Sequence, residues 1–395
     1  MPSLTSQLRL LPRSFWILAL TVFVNRFGLF VWPFLTIYIT RNGNTAAQAG
    51  LAVSSYSVGG LCAAGLGGWL ADRIGRNVTM ALAAFGGAAG MLAMSQFTDW
   101  RWLCLVAFFV GLATESGSPA LSALVQDILP PEQRVLGYSV NRFAGNLGWS
   151  TGPTIAGWMA ESSFLALFVI DAATSIVLGI IAWGFLPRGE RTLAHRASWR
   201  IAWRSIRANR QFLAVAAACL FGAWLFRQLV TTFPLHFERS GLPMRWYGIV
   251  MACSSLMICA FEIPLANSTR HWPVRIPLGL GYLLMGFSFL LLLGASSLQS
   301  LCLTITVFTF GEMLAFSRQQ AYAASFAPDD MRGRYSGFIG LAWAIGGILA
   351  STGSLGLYEQ SPAAAWLATA AFGLAAAALT AVGRKDSHPK PAPAS

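Results

Sequence analysis

The chain has 395 residues, of which 55% are hydrophobic and only 11% are charged, and its mean hydropathy is +0.59. Soluble proteins carry about 25% charged residues, so this composition argues against a soluble enzyme and excludes a disordered chain or a coiled coil. In a soluble protein, a formal net charge of +12 would indicate binding to nucleic acid. Because this chain is strongly hydrophobic, the distribution of the charges along the sequence has to be considered first.

Twelve segments of the sequence are long and apolar enough to cross a membrane, which takes about 20 predominantly apolar residues. These predicted spans 1 to 12 cover residues 15–39, 47–71, 78–97, 102–126, 137–160, 164–186, 212–236, 246–266, 276–296, 301–326, 336–358 and 363–383. They predict an all-α membrane protein with twelve transmembrane helices in two pseudo-symmetric six-helix bundles. We expect the bundles at residues 1–186 and 212–383, a cytoplasmic linker at 187–211 and a disordered tail at 384–395.

The basic residues are concentrated on one side of the predicted membrane. The termini and alternate loops on that side hold 19 Lys and Arg residues, whereas the loops on the other side hold 4. Because cytoplasmic loops are enriched in Lys and Arg, this bias predicts a multi-pass protein of the bacterial inner membrane with both termini in the cytoplasm. Each span therefore has a predicted cytoplasmic end and a predicted outer end.

Span 1 carries a charge near the middle of its apolar run. Arg26 lies there beside Asn25, and Trp32 follows within two turns. A charged side chain at the bilayer centre costs at least about 2.5–3.5 kcal/mol, so it must pair with another group or face water. We therefore expect Arg26 to line a central cavity, with Asn25 and Trp32 near it.

The loop between spans 2 and 3 concentrates glycine and charge in ten residues. It reads Gly68-Trp69-Leu70-Ala71-Asp72-Arg73-Ile74-Gly75-Arg76-Asn77. The glycines allow a tight reversal of the chain. Asp72, Arg73 and Arg76 form a charge cluster at the point where span 2 leaves the membrane.

Span 4 contains one carboxylate at mid-depth and a second at its cytoplasmic end. Glu115 occupies the middle of the apolar run, and Asp127 follows twelve residues later. Glu115 needs a cationic partner or water for the same reason as Arg26. It is the first candidate for a group that carries a proton.

Span 5 combines small residues with a proline. Gly148 and Gly152 allow a neighbouring helix to approach closely, Pro153 bends the helix, and Gly157 continues the small-residue face. Arg142 lies nearer the cytoplasmic end, where it could reach water or form a structural pair. The pattern is either a packing device alone or part of the transport machinery.

The linker contains a short segment with two distinct faces. Its apolar face is formed by Trp199, Trp203 and Ile206, and its basic face by Arg200, Arg204 and Arg207. This pattern is typical of a helix that lies on the anionic cytoplasmic leaflet, so it predicts membrane lipids and not nucleic acid as the partner.

The second half of the chain repeats the mid-membrane charges of the first. The candidates on spans 7 and 10 are Arg227, Gln228, Glu312, Arg318, Gln319 and Tyr322. They line the same predicted cavity as the candidates on spans 1 and 4.

An internal repeat relates these positions. Arg26 is followed seven residues later by Pro33, and Arg227 is followed seven residues later by Pro234, at an offset of 201. Glu115 and Glu312 repeat at nearly the same offset, and duplicated parallel halves are one basis of alternating access. We therefore expect two pseudo-symmetric clusters, one pairing Arg26 with Glu115 and one pairing Arg227 with Glu312. The alternative is that both are static ion pairs that fix helix packing.

The loop between spans 2 and 3 resembles the loop signature of the major facilitator superfamily, G-x-L-A-D-R-x-G-R-[KR], and departs from it only at Asn77. The resemblance covers about residues 14–383 and implies the twelve-span fold of that family. It also implies that Asp72, Arg76 and Asp127 form a latch that holds the two halves in the outward-open state.

Span 5 resembles the pattern G-x-x-x-G-P-x-x-G-G of the family's drug:proton antiporter branch, with Ala156 as the departure. That resemblance implies export. A third pattern, in which an arginine of span 4 couples protons, is missing, because span 4 has Thr114-Glu115-Ser116-Gly117 there. Glu115 is therefore the candidate for that role.

These features predict a proton-coupled secondary transporter that exports small organic molecules by alternating access. An uptake symporter for a sugar, organic acid or peptide is the alternative. The sequence has no metal motif, no nucleophile elbow and no paired catalytic carboxylates, so we expect no enzyme activity, no metal and no cofactor besides the proton gradient. The expected partners are a small organic substrate, protons and membrane lipids, and the expected state is a monomer.

Overall fold

The computed structural model describes residues 8–189, 199–293, 297–328 and 331–381. These residues are almost entirely helical, and no strand occurs among them. The predicted tail at 384–395 and the middle of the predicted linker lie outside the described residues.

Twelve long helical segments follow the predicted spans within the described part of the chain. They are Arg13–Phe27 with Leu35–Arg41, Ala46–Ile74, Arg76–Met94, Trp100–Glu115 with Gly117–Ile128, Pro131–Ser162, Phe164–Phe185, Arg210–Arg227 with Thr232–Arg239, Met244–Ser268, Arg275–Ser288, Leu298–Ala324, Arg332–Gln360 and Pro362–Ala381. They are called spans 1 to 12. The predicted all-α membrane fold is confirmed.

Hydropathy alone identifies most of these spans. Ten helices of the described chain are long and apolar enough to cross a membrane, and span 2, which is bent, makes an eleventh. Span 5 (Pro131–Ser162) is the exception, because polar side chains such as Asn141, Asn146 and Thr151 interrupt its apolar run. The chain is a multi-pass membrane protein.

The contacts divide the chain into two compact units. Unit 1 comprises the described residues of Met1–His195, Arg227–Cys259 and Ile348–Ser361. Unit 2 comprises those of Arg196–Phe226, Ala260–Gly347 and Pro362–Ser395. Unit 1 therefore contains the first six spans together with parts of spans 7, 8 and 11.

In unit 1 the backbones of spans 2 and 4 pack at very short range. A Cβ built on Gly59 would lie 2.9 Å from the Leu112 nitrogen, and one built on Gly67 would lie 2.8 Å from the Ser116 Cα. Only glycine fits at such distances, and close packing of this kind is how membrane helices associate. The contact fixes span 2 beside the part of span 4 that carries Glu115.

In unit 2 small residues and stacked aromatic rings hold spans 9, 10 and 12 together. A Cβ on Gly281 of span 9 would lie 2.6 Å from the Ala315 nitrogen of span 10. The rings of Phe289 and Trp366 stack with centroids 5.5 Å apart. These contacts give unit 2 its own packed interior.

The described part of the linker forms a helix, Trp199–Ala208, that packs on unit 2. Ile206 is buried, and the ring of Trp203 lies 5.8 Å from that of Phe338. Arg204 and Arg207, of the predicted basic face, are exposed. The side chains of Trp199 and Arg200, which belong to the predicted apolar and basic faces, lie outside the part of the chain that the structure describes.

Candidate transport site

Spans 1 and 7 are both interrupted just after their arginine. Span 1 is helical up to Phe27, one residue beyond Arg26, and resumes at Trp32. Span 7 is α-helical up to Arg227 and resumes an α-helix at Thr232. Both helices restart within a turn of Pro33 or Pro234, whose position favours a helix start over a helix interior. The two breaks lie at equivalent positions of the internal repeat.

Each break frees backbone groups that must be bonded inside the membrane. At the break of span 1, the Val31 nitrogen donates a hydrogen bond to Asp171 Oδ2 at 3.1 Å. At the break of span 7, the Tyr247 hydroxyl donates to the Leu229 carbonyl at 2.8 Å. Side chains from spans 6 and 8 therefore support the two breaks.

Span 4 also breaks at its mid-membrane charge. Its first helix ends at Glu115, and a second begins at Gly117. Pro119 has no N–H for the Glu115 carbonyl four residues earlier, which accounts for the interruption. Glu115 therefore lies at a helix end and not within a regular helix.

The Glu115 carboxylate is half-buried and accepts hydrogen bonds from neutral groups. The Tyr56 hydroxyl donates to Oε1 at 3.4 Å, and the Ser118 hydroxyl donates to Oε2 at 3.3 Å. Tyr56 is also within 3.0 Å of the Thr114 hydroxyl. Span 2 thus contributes a tyrosine to the carboxylate of span 4.

Arg227 lies against spans 1 and 2. Its Nη2 donates to the Ser57 hydroxyl at 3.3 Å, and its guanidinium carbon lies 5.5 Å from the centroid of the Trp32 ring. The rings of Trp32 and Tyr56 are 4.1 Å apart. Aromatic faces attract a guanidinium electrostatically, so Trp32 helps to hold this half-buried cation.

These residues form one group, the central cluster, which lies entirely in unit 1. Glu115, Arg26 and Arg227 all lie near enough to the Tyr56 side chain for their charges to act on it. The members of the central cluster are Arg26, Trp32, Tyr56, Ser57, Glu115 and Arg227. Three of the predicted mid-membrane charges, Arg26, Glu115 and Arg227, are therefore members of the central cluster.

Arg26 and Glu115, which we expected in one cluster, form no direct ion pair within the described residues. The Arg26 side chain is exposed, and its guanidinium has no ion pair within the described residues. Glu115 takes the neutral donors Tyr56 and Ser118 instead. Asn25 is exposed beside Arg26.

The sequence interpretation missed Tyr56 and Ser57. Both lie in span 2, whose apolar part contains no charged residue that would indicate a functional site. The available signal was the run Ser54-Ser55-Tyr56-Ser57, which is the polar stretch of an otherwise apolar helix.

Gln228 directly follows Arg227 and is fully buried. The Ser354 hydroxyl of span 11 donates to its Oε1 at 2.5 Å. Ser354 is also within 2.8 Å of the Thr232 hydroxyl. Gln228 therefore ties the break of span 7 to span 11 and does not face an open cavity.

The predicted residues of span 10 lie in unit 2. Glu312 is half-buried. Arg318 donates to the Thr269 hydroxyl at 2.7 Å and to the Ala266 carbonyl at 3.1 Å. These bonds connect span 10 to the end of span 8.

Two further predicted residues of span 10 are also buried in unit 2. Gln319 accepts a hydrogen bond from the Tyr282 hydroxyl at 3.1 Å. The ring of Tyr322 packs edge to face on Phe326, with centroids 5.1 Å apart. Both side chains therefore contribute to packing among unit 2 residues.

The loop between spans 2 and 3 turns at Gly75, whose φ of 101° lies in the region that favours glycine. Arg76 is buried, forms an ion pair with Asp127 and donates to the Ala123 carbonyl at 2.7 Å. The loop is thereby fixed to the end of span 4 that we predict to be cytoplasmic.

The other predicted latch residues are less constrained. Asp72 is exposed and has no ion pair within the described chain. The Arg73 guanidinium lies over the Trp69 ring at 5.2 Å. No heavy atom lies within 4 Å of a Cβ built on Gly68.

The glycine pattern of span 5 packs directly on the charged part of span 1. A Cβ on Gly148 would lie 2.6 Å from the Phe23 carbonyl oxygen and 2.9 Å from the Arg26 Cβ. Gly152 faces the Phe27 backbone equally closely. These glycines therefore let span 1 approach at the position of Arg26.

The rest of the pattern packs on the start of span 8. A Cβ on Gly157 would lie 2.8 Å from the Met244 carbonyl oxygen. Gly248 faces the Pro153 carbonyl, and the Thr154 hydroxyl donates to the Gly248 carbonyl at 3.3 Å. Arg142, at the other end of span 5, is exposed.

At the predicted outer end, contacts join spans from both sequence halves within unit 1. Arg41 of span 1 pairs with Glu238 of span 7 at 2.5 Å, and Arg245 of span 8 pairs with Glu161 of span 5 at 3.1 Å. The Glu359 carboxylate accepts a bond from the Ala47 nitrogen at 3.1 Å. These contacts join the predicted outer ends of these spans within unit 1.

Comparisons with known proteins agree with this architecture. A family model described as Major Facilitator Superfamily matches residues 17–351 and 246–394. Multidrug resistance protein MdtH of Salmonella typhi is 27% identical over 346 residues, covering 86% of this chain and 85% of that protein. A Na(+), Li(+), K(+)/H(+) antiporter of Planococcus maritimus is 25% identical over 365 residues, covering 83% and 85%.

A solved structure shows the same fold. The crystal structure of the peptide transporter POT in complex with sulfate superposes with a TM-score of 0.78 and covers 94% of both chains, at 16% identity. At that identity the likeness concerns the fold alone. The similar proteins are transporters and not enzymes, and the family model spans most of the sequence. This chain belongs to the major facilitator superfamily.

Proposed function

We propose that the protein is a proton-coupled secondary transporter that exports small organic molecules by alternating access. The observation that carries the proposal is the central cluster, in which a mid-membrane carboxylate lies beside two arginines. Ionisable residues inside a membrane mark substrate and proton pathways. The names of the relatives, a multidrug resistance protein and a cation/proton antiporter, support export and exchange for protons.

Glu115 is the proposed proton carrier. Its carboxylate is bonded by the neutral donors Tyr56 and Ser118, so a proton can bind it without first breaking a direct arginine pair. A proton and a substrate group that donates hydrogen bonds then compete for the same oxygens. Competition of this kind yields exchange, because loading one species releases the other.

The two ends of the spans supply the proposed conformational change. The outer contacts Arg41–Glu238 and Arg245–Glu161 must break before a substrate can leave outward. Asp72 is exposed, which supports the view that its part of the proposed latch with Arg76 and Asp127 is open. Closure of that latch would accompany opening of the outer end.

The remaining parts of the proposal concern the setting of the protein. We place it in a bacterial inner membrane with both termini in the cytoplasm, because of the 19 to 4 distribution of basic residues. It acts as a monomer built of two six-helix bundles. Exposed Arg204 and Arg207 on the linker helix face anionic lipid.

An accumulation assay tests the direction of transport. Cells that express the protein should retain less ethidium than matched cells with an empty vector, and a protonophore should abolish the difference. Higher accumulation of ethidium or of a labelled sugar, organic acid or dipeptide would favour the uptake symporter. An effect that survives the protonophore would contradict proton coupling.

A further inference from the structure

The break of span 1 separates two members of the central cluster. Arg26 is the penultimate residue of the first helix, and Trp32 begins the second. The backbone between them therefore sets how the two side chains are placed relative to each other. Whatever holds this break also holds that part of the cluster.

Span 6 contacts the break at two points one helical turn apart. The Asp171 carboxylate accepts from the Val31 nitrogen at 3.1 Å. A Cβ on Gly28 would lie 2.9 Å from the Thr174 Cβ, so Thr174 fills the space that Gly28 leaves open. Residues three apart share one helix face, and this face of span 6 fits the interrupted backbone.

Burying the carboxylate of Asp171 to bond the backbone at this break carries a high free-energy cost. Its side chain is buried, with 3% of the residue exposed, and it has no ion pair within the described part of the chain. The equivalent break in span 7 is supported by the neutral hydroxyl of Tyr247. A buried carboxylate inside a membrane is a mark of function.

We infer that Asp171 is a positioning residue for transport, which holds the break of span 1 and thereby places Arg26 and Trp32. It acts through the backbone of span 1 and does not touch the substrate. The inference rests on the function proposed above for the central cluster. It adds a residue outside that cluster on which the cluster depends.

Two substitutions separate the acceptor from the volume of the side chain. Asp171→Asn keeps an oxygen that can accept from the Val31 nitrogen, whereas Asp171→Leu has a similar size without an acceptor. Asp99→Asn, at the exposed start of span 4, is the matched control. Each full-length variant is purified in detergent and reconstituted.

Hydrogen exchange measured by mass spectrometry reports directly on the protection of the backbone amides at the break of span 1. In Asp171→Leu we expect exchange in the peptide covering residues 28–34 to rise about tenfold, as for loss of a hydrogen bond to a charged group. The peptide covering residues 228–234, at the other break, should not change. Asp171→Asn and Asp99→Asn should behave as wild type at both breaks.

The reactivity of a cysteine at position 25, next to Arg26, reports on the placement of the central cluster. We expect Asp171→Leu to alter the rate at which Asn25→Cys, in a cysteine-free chain, reacts with a water-soluble maleimide. We also expect it to lower the maximal rate of ethidium transport about tenfold, with a wild-type melting temperature. In Asp171→Asn the rate of maleimide labelling and the maximal rate of transport should both match the wild type.

Unchanged exchange at residues 28–34 in Asp171→Leu, or an equal rise at both breaks, would overturn the inference. If Asp171→Leu does not fold, Asp171→Ala, which also lacks an acceptor, takes its place, and unchanged exchange at residues 28–34 in that variant would overturn the inference. If the wild type transports no ethidium, the proposed function fails for this probe. Exchange and maleimide reactivity still decide the role of Asp171 in that case.

Discussion

At the scale of single residues, the central cluster places a carboxylate beside two guanidinium groups without a direct ion pair between Arg26 and Glu115. Neutral hydroxyls bond the carboxylate, and one arginine lies on an aromatic face. An arrangement of this kind leaves the Glu115 oxygens available to a proton or a substrate. A static ion pair would have occupied them.

Tyr56 is predicted to tune this carboxylate. Replacement by phenylalanine removes a hydrogen bond to a charged group, which contributes about 1.5–3 kcal/mol, so we expect gradient-driven ethidium transport to fall about tenfold in reconstituted protein. Ser55→Ala is the matched control, because the Ser55 hydroxyl bonds a carbonyl of its own helix. Equal loss in both variants would count against a specific role for Tyr56.

The sequence predicts the charged members of the cluster but not their partners. Arg26, Glu115 and Arg227 stand out because a charge in an apolar run is expensive wherever the helix points. Tyr56 and Ser57 carry no such cost, so their role depends on which face of span 2 meets span 4. Glycine contacts between the two helices set that face. The spacing of the glycines in the sequence does not reveal which residues they contact on the other helix.

At the scale of helices, the breaks in spans 1, 4 and 7 place charge at helix ends. Pro33, Pro119 and Pro234 lie within a few residues of the three breaks. The internal repeat therefore extends from the residues to the backbone itself. Span 10 departs from it, since Leu298–Ala324 is continuous past Glu312.

The glycines of span 5 give a prediction at this scale. Gly148→Ala and Gly152→Ala place a methyl group against the backbone of span 1, and overpacking of this kind costs about 1–3 kcal/mol. We expect both variants to lose thermal stability and transport. Gly145→Ala is the control on the same helix, because its Cβ would lie at an ordinary 3.7 Å from the Arg26 side chain.

Melting temperatures of the purified variants, together with ethidium transport, check this prediction. If Gly145→Ala were as damaging as Gly148→Ala, helix propensity and not close packing would explain the losses. The pattern could be identified from the sequence as a site of close approach. Its two partners, span 1 and the start of span 8, could not, because they are distant in the chain.

At the scale of the whole molecule, the spans and the family follow from hydropathy and the glycine-rich loop. Hydropathy identifies even the interrupted spans, because a break of a few residues does not lower the average over twenty. It nearly misses span 5, because polar side chains such as Asn141, Asn146 and Thr151 interrupt the apolar run of that helix. The conformational state has no sequence signal, since it depends on contacts such as Arg41–Glu238 between distant residues.

The outer ion pairs predict how the molecule opens. Arg41→Glu replaces an attraction with a repulsion, and an exposed pair contributes about 0.2–1 kcal/mol. We therefore expect outside labelling of Thr231→Cys, a buried position in the closed state, to rise about two- to fivefold. Arg41→Glu combined with Glu238→Arg should restore the wild-type rate.

Arg101→Glu is the control for this measurement. Arg101 pairs with Asp99, two residues away, and is more exposed, so the change does not act between separate spans. An equal rise in labelling for Arg101→Glu would show a general charge effect. No rise for Arg41→Glu would contradict the role of the pair in closing the outer end.

The central claim is that Glu115 couples protons to transport. The most direct measurement is ethidium transport into proteoliposomes driven by an imposed pH gradient, for the wild type, Glu115→Gln and Glu312→Gln. We predict that Glu115→Gln loses gradient-driven transport at least about tenfold, the lower part of the range expected for a lost proton-transfer group, while it still equilibrates ethidium without a gradient. Undiminished gradient-driven transport in Glu115→Gln would contradict the account.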